Sequence, residues 1–286
     1  MIDASTGLIA LLGSPVSHSL SPRMQNRALR AAGLNCVYLA FHVEGALGEA
    51  VRGLGALGAL GANVTIPYKK EAFSLCEPVG HGVRLGAVNT LVFRARRVLG
   101  YNTDVDGILF ALRGASVGSA LLLGAGGAAL GAAMALGLMG CGRLTVACRN
   151  LAGGEDLASL ARGWGLFRRV QVVPFDRLRA LDRVDALVNA TSLGLPGNPW
   201  DAGVLEAALG VLDPRGVGLD LVYGEGPTEF VRAGGGMGLW MVDGREVLLG
   251  QGAESFRLIT RMEAPLEEMR MALYGGGGDD QVPYRR

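Results

Sequence analysis

From Gly114 to Gly142 this 286-residue chain carries no charged side chain, and that stretch limits the possible folds more than any other. By length alone, such a run is a transmembrane candidate with small-residue spacing. Its interior supports a different reading. The apolar segment Ala120-Leu121-Leu122-Leu123 is followed by Gly124-Ala125-Gly126-Gly127-Ala128-Ala129 and then by small residues through Met139. Glycines at 124, 126 and 127 suit a turn better than a continuous spanning helix. The competing reading is a buried strand, a glycine turn and a buried helix.

The turn fits G-x-G-x-x-(G/A), with Ala129 in the third small position. In a dinucleotide fold the first glycine permits the tight turn, the second lets backbone approach a pyrophosphate, and the third lets helix and strand pack closely. The phosphates then sit on the helix N-terminus. Strand-like segments follow at Leu144 to Ala147, Val170 to Val173, Ala186 to Asn189, Val217 to Leu221 and Leu239 to Val242, separated by helical or turn-rich stretches. Such alternation predicts a doubly wound parallel sheet. About 20 residues past the glycines, an NAD site places an acid on the ribose 2′-hydroxyl. The second strand here ends in Cys148-Arg149-Asn150, with no acid and with a guanidinium suited to a 2′-phosphate. NADP(H) is therefore expected over NAD(H), although Arg149 is one of many arginines and Glu155 lies close by in sequence.

Half of the residues are apolar and the formal net charge is +1, so no electrostatic footprint for nucleic acid or an anionic membrane is present. The expected partner is a small molecule. Cys36, Cys76, Cys141 and Cys148 show no C-x-x-C spacing, and with only three histidines there is no zinc signature and no metal is expected. The first residues lack a basic n-region, and Leu8 to Leu12 is too short for a signal peptide. A cytoplasmic chain with reduced thiols is expected, as monomer or homodimer.

Over a hundred residues precede the glycine motif, enough for a domain of their own. After the strand-like Leu8 to Leu12 comes Gly13-Ser14-Pro15-Val16-Ser17-His18-Ser19-Leu20-Ser21-Pro22. Ser21 followed by Pro22 reads as an N-cap and first helical residue, opening a helix to about Ala32. Hydroxyls gathered near a helix N-terminus also suit a carboxylate. Strand-like Cys36 to Phe41, Gly61 to Thr65 and Val88 to Phe93 alternate with helical segments such as Ala46 to Leu54, which implies a second α/β layer.

Of the 27 cationic residues other than histidine only two are lysines, Lys69 and Lys70, at the end of Asn63-Val64-Thr65-Ile66-Pro67-Tyr68-Lys69-Lys70. Arginine does not pass a proton at working pH, whereas a lysine amine can. Either the pair is solvated charge, or one member is an amine kept for chemistry. Two further polar clusters, Ala87-Val88-Asn89-Thr90 and Asn102-Thr103-Asp104, read either as helix caps or as a carboxylate set beside the lysine. Beside it, the acid would orient the ammonium and ready it to donate a proton.

In this order the segments resemble the shikimate dehydrogenases of the bacterial biosynthetic type. The similarity runs from about Gly7 to Leu273 and includes Ser19 to Pro22, Asn63 to Lys69, Ala87 to Thr90, Asn102 to Asp104, Gly124 to Ala128, Asn189 to Ser192, Asp220 to Tyr223, and Gly250-Gln251. The resemblance implies two α/β domains, an N-terminal substrate domain over 1–104 and a Rossmann-type NADP(H) domain over 105–243. A helical segment over 244–274 returns to the first domain, and 275–286 reads as a flexible, dispensable tail. It implies reversible reduction of 3-dehydroshikimate to shikimate by NADPH, in aromatic amino acid biosynthesis. Lys69 and Asp104 become the catalytic pair, with Ser19, Ser21, Thr65, Asn89, Tyr223 and Gln251 around the substrate. Cofactor contacts fall on Gly124, Ala125, Gly126, Gly127, Ala128, Arg149, Asn150, Thr191, Leu221 and Gly244.

Ser rather than Thr at position 21 resembles the shikimate-selective members more than quinate-using relatives. Gln25 stands where the family usually has histidine, Cys148 where it usually has Asn, and Asn150 where a Thr often helps hold the 2′-phosphate. The last two predict a weaker hold on that phosphate. The alternatives are a quinate/shikimate dehydrogenase with relaxed cofactor use and a non-catalytic NADP(H)-sensing module.

Overall fold

The computed structural model describes residues 2–95, 97–224 and 226–275, so only Gly275 of the expected tail falls within the described residues. Two compact units are formed, one by the residues up to Gly107 together with those from Leu248 onward, the other by Ile108–Val247.

The N-terminal run is β1 (Gly7–Gly13), α1 (Ser21–Ala31), β2 (Cys36–His42), α2 (Leu47–Ala56), β3 (Gly61–Val64), α3 (Lys69–Ser74), β4 (Glu77–Pro78), α4 (His81–Leu85), β5 (Thr90–Arg94), β6 (Arg97–Tyr101) and α5 (Asp104–Ala111). Next come β7 (Ser119–Leu123), α6 (Gly127–Leu138), β8 (Arg143–Ala147), α7 (Leu151–Gly163), β9 (Arg169–Val173) and β10 (Val184–Asn189). After these follow α8 (Ala202–Val211), β11 (Leu212–Asp220), α9 (Glu229–Gly236) and β12 (Trp240–Val242). The chain ends in α10 (Gly244–Thr260) and α11 (Leu266–Tyr274).

In the first unit the sheet order is β2-β1-β3-β5-β6-β4. Strands β2, β1 and β3 are parallel, but β5 runs antiparallel to both β3 and β6. The sheet is therefore mixed. Its antiparallel part is not expected from the sequence, where no strand is read over β6, Arg97–Tyr101, the return arm of a hairpin with β5. A connection this short permits only antiparallel pairing. The core beneath it gathers Ala10, Leu12, Leu47, Val51, Ala62, Val64, Val88 and Leu91.

Helix α1 buries Ser21, Met24, Gln25, Ala28 and Leu29, a stripe at i, i+3, i+4, i+7 and i+8 that makes one face apolar enough to pack. Helix α11 covers part of the rest: Arg27 Nε donates to Glu268 at 2.7 Å, and Arg23 donates to the carbonyl of Gly275 at 3.0 Å.

The second unit carries the all-parallel order β12-β11-β10-β7-β8-β9, the doubly wound arrangement. The uncharged run of the sequence becomes β7, a glycine turn and α6, whose 12 residues span about 18 Å, too little for a bilayer core of about 30 Å. No helix among the described residues is long and apolar enough to cross a membrane. The run lacks charge because both elements are buried: every residue of β7 is buried, as are Ala129 and positions 131 to 137 of α6. The core here includes Leu121, Leu187, Trp200, Leu209 and Phe230, with Trp200 and Phe230 stacked at 5.6 Å.

Candidate active site and dinucleotide cradle

Lys69 is the first residue of α3, just beyond β3, and Asp104 is the first residue of α5, just beyond β6. The fold brings them together: Lys69 Nζ lies 2.5 Å from Asp104 Oδ2, with both side chains about one-third exposed or less. Lys70 is exposed and has no hydrogen bond or ion pair among the described residues. Of the two readings of the clusters beside the lysine, the structure therefore shows the carboxylate pairing.

Asn89 governs where Asp104 points. Its Nδ2 donates to Asp104 Oδ1 at 2.8 Å, while its Oδ1 accepts from the backbone N–H of Thr103 at 2.7 Å. Both carboxylate oxygens thus have a donor, Lys69 on one and Asn89 on the other. Behind Asn89 lies a buried polar network that the sequence did not reveal. Asn63 Nδ2 donates to Thr90 Oγ1 at 3.0 Å and to Ser255 Oγ at 2.8 Å, and Asn63 Oδ1 accepts from Tyr38 at 2.8 Å. The Thr90 and Thr103 hydroxyls lie 3.1 Å apart. Fully satisfied networks of this kind fix geometry, since each member would be costly to leave unpaired.

Ser21 does not cap α1. It is the first residue of the helix itself, and Leu20 before it already has helical angles, φ −79° and ψ −8°. The turn begins earlier than the proline suggests, and Ser19 supplies the acceptor: its Oγ receives the N–H of Ser21 at 3.2 Å. The Ser21 hydroxyl makes no hydrogen bond among the described residues, which leaves it available to a ligand. Thr65 follows β3, with its methyl so close to Gly13 that a Cβ there would lie 2.2 Å away. Gln251 sits on α10, where its Nε2 donates to the carbonyl of Leu248 at 3.1 Å.

In the second unit Gly124 takes φ +103°, and a Cβ on it would meet the carbonyl oxygen of Ala190 at 2.9 Å, so only glycine makes this turn. A Cβ at Gly126 or Gly127 would meet nothing within 4 Å. The space before α6 is thus open, and bare backbone lines it. This is the shape a pyrophosphate needs, and it fits a dinucleotide. Arg149 is exposed and unpaired among the described residues, while Glu155 is held by Arg162 at 3.4 Å. Glu155 therefore does not neutralise Arg149.

Asn150 acts locally, its Oδ1 capping α7 by accepting from the N–H of Gly153 at 3.2 Å. Cys148 is buried, its thiol packed so close to Gly154 that a Cβ there would come within 2.6 Å, and burial pushes the thiol up from its ordinary range. Ala125 and Ala128 flank the glycines of the turn.

Thr191 hangs from Asn189, donating Oγ1–H to its Oδ1 at 2.7 Å, and Asn189 donates to Asp220 at 2.8 Å. Leu221 follows directly, its N–H bonded to the Asn189 carbonyl. A cleft of about 540 Å³ opens beside this strand end, lined by Gly194, Val222, Tyr223, Thr228 and Arg232 among others. Tyr223 thus belongs to the second unit, whereas the other five expected substrate residues belong to the first.

Asp220 is fully buried, and burial pushes its carboxyl up to about 6 although Thr228, Val222 and Asn189 all donate to it. Unfolded, it titrates near 4. The folded protein then binds the proton more tightly, so stability from this group is full below about pH 4 and is lost as pH rises towards 6, by about 3 kcal/mol. Asp220→Asn keeps the shape without the charge. Thermal melts at pH 4, 5, 6 and 7 are expected to show the variant gaining on wild type across that window; a constant difference would mean that Asp220 folds ionised throughout.

Residues 11–91 match the family model described as the shikimate dehydrogenase substrate binding domain, and residues 244–274 match the shikimate 5′-dehydrogenase C-terminal domain. The chain is 42% identical over 282 residues to the shikimate dehydrogenase (NADP(+)) of Moorella thermoacetica, covering 95% of this chain and 94% of that one. It belongs to the shikimate dehydrogenase family. Among solved members, the shikimate dehydrogenase of Aquifex aeolicus superposes with a TM-score of 0.84 at 33% identity, covering 96% of this chain and 99% of that one. The Thermus thermophilus shikimate 5-dehydrogenase, solved with NADP(H) and shikimate, gives 0.81 at 32% identity, with 94% and 98% covered.

Proposed function

We propose that this shikimate dehydrogenase family member reversibly reduces 3-dehydroshikimate to shikimate with NADPH, on the route to chorismate and the aromatic amino acids, in the cytoplasm. The observation that carries the reading is the Lys69–Asp104 pair, 2.5 Å apart and steadied by Asn89. A binding module has no use for an ammonium held this way beside unengaged hydroxyls. Residues 1–104 act as the substrate domain, 105–243 as the cofactor domain, and 244–274 as the returning segment that brings Gln251.

Reduction of the ketone leaves an alkoxide that needs a proton and a positive charge nearby. Lys69 meets both needs: its ammonium stabilises the developing oxyanion and then donates a proton to it. Asp104 orients the ammonium, and Asn89 holds Asp104. Ser19 and Ser21 bind the substrate carboxylate through their hydroxyls, and Thr65, Tyr223 and Gln251 hold the ring hydroxyls. NADPH, when bound, supplies the hydride. Gly124 to Ala128 cradle its pyrophosphate, Arg149 meets its 2′-phosphate with Asn150 alongside, and Thr191, Leu221 and Gly244 hold the remainder of the dinucleotide. Because Asn150 spends its oxygen on the α7 cap, Arg149 carries most of the phosphate selectivity.

One spectrophotometric series tests this. NADP⁺ is expected to be reduced with shikimate at a kcat/KM at least tenfold above that with quinate, and above that of NAD⁺ with shikimate. Comparable values for quinate or NAD⁺ would point to the relaxed quinate/shikimate type. Cofactor binding without turnover would leave only a sensing module.

A further inference from the structure

We infer that Gln25 is a positioning residue for the substrate site, joining the helix that presents Ser21 to the helix that presents Gln251. The inference rests on the reading of Ser19, Ser21 and Gln251 as substrate ligands, and adds to it the device that sets their spacing.

Gln25 lies one turn beyond Ser21 on the buried face of α1 and is itself 4% exposed. Its Nε2 donates to the backbone carbonyl of Gly252 at 2.9 Å. Gly252 immediately follows Gln251 on α10. The two helices meet closely there: a Cβ on Gly252 would lie 2.2 Å from Met24 Cε, 3.3 Å from Gln25 Nε2 and 3.4 Å from Met269 Cε. Met24 and Met269, both fully buried, are flexible and fill whatever space the helices leave, so they hold no axial register of their own. A buried directional hydrogen bond does. Sliding α10 along α1 by one residue would break the bond and strand a buried amide, which is costly. The Gln25 bond therefore sets how far the Gln251 amide sits from the hydroxyls of Ser19 and Ser21, while Gln25 itself touches no ligand.

The glycine keeps that contact close, and the bond keeps it in register. Ser255 on the same helix makes a second tie, at 2.8 Å from Asn63 Nδ2, one turn further along. That bond secures the part of α10 nearest Asn89's network, whereas Gln25 secures the turn that bears Gln251.

The test compares wild type, Gln25→Met and Gln25→His. Methionine keeps the length and volume of glutamine but has no donor, and histidine restores a ring N–H. For Gln25→Met, KM for shikimate is expected to rise about five- to tenfold, the worth of one buried hydrogen bond. Its kcat should stay within twofold and its KM for NADP⁺ should be unchanged; Gln25→His should recover most of the shikimate KM. Circular dichroism and thermal melts verify that each variant folds. An active wild type with an unchanged shikimate KM in folded Gln25→Met overturns the positioning role alone, as does a parallel rise in both Michaelis constants, which would mean general loosening. If Gln25→Met does not fold, the decision passes to Gln25→His: a wild-type shikimate KM supports the role, and a raised one overturns donor replacement as its basis. A wild type that binds NADP⁺ but leaves shikimate unreacted overturns the reading of the site, and this proposal with it.

Discussion

Lys69→Ala is expected to lower kcat for shikimate oxidation by about 10² to 10⁴, roughly 3 to 5 kcal/mol of barrier, the usual contribution of a positioned general acid–base group. Lys70→Ala should stay within about twofold of wild type, because an exposed, unpaired lysine does nothing at the reacting atoms. The contrast between neighbours is the informative part. Loss of Lys69 removes the partner of Asp104, but Asn89 still donates to the other carboxylate oxygen, so the fold of this corner should survive. NADPH binding, followed by the fluorescence of NADPH titrated into the protein, should be unchanged, since the glycine cradle lies in the other unit. Equal activities in the two variants would falsify the assignment of the proton donor.

Gly244→Ala is expected to cost both stability and cofactor affinity. A Cβ at position 244 would stand 2.7 Å from the carbonyl oxygen of Val222, 2.8 Å from that of Asp220 and 3.0 Å from that of Leu221. These are three backbone atoms at the end of β11, not the far ends of side chains, so none can swing away. Overpacking of this kind costs typically about 1–3 kcal/mol, and each kcal/mol lowers Tm by about 2–4 °C in a unit of this size. The dissociation constant for NADP⁺ is expected to rise at least tenfold, about 1.4 kcal/mol, because the displaced backbone at Leu221 and Val222 borders the proposed cofactor site. Calorimetry with and without NADP⁺ gives both quantities. A variant with wild-type Tm and affinity would show that the end of β11 yields freely.

Much of the second unit was legible in the sequence, because a strand buried on both faces and a helix buried on most of its surface both leave a mark in composition. The uncharged stretch from Gly114 to Gly142, broken by Gly124, Gly126 and Gly127, is that mark. Gly124 has a local cause, a left-handed turn against Ala190, whereas a Cβ at Gly126 or Gly127 would meet nothing, so those two serve only to leave bare backbone in front of α6. The first unit was harder to read. Its strand β6, Arg97–Tyr101, is only five residues long and runs straight into the polar Asn102 and Thr103, so no clear alternation marks the hairpin. Ser21 departs from the cap pattern for a related reason. Pro22 and Ser21 fit the N1 and N-cap signature, but the turn at Leu20 has already begun the helix and passed the acceptor role to Ser19.

The sequence alone determined the chemistry available: two lysines among arginines, an acid-free strand end beside Arg149, and a glycine turn open to phosphate. Those are properties of residue type and near neighbours, which a linear pattern records. Only the tertiary structure paired Lys69 with Asp104, set Glu155 against Arg162 rather than Arg149, and tied Gln25 to Gly252 across 227 positions of chain. These choices depend on distances between residues far apart in sequence, and no local propensity encodes them. For Gln25, the choice is set by the need of a buried amide to find a partner once water is gone.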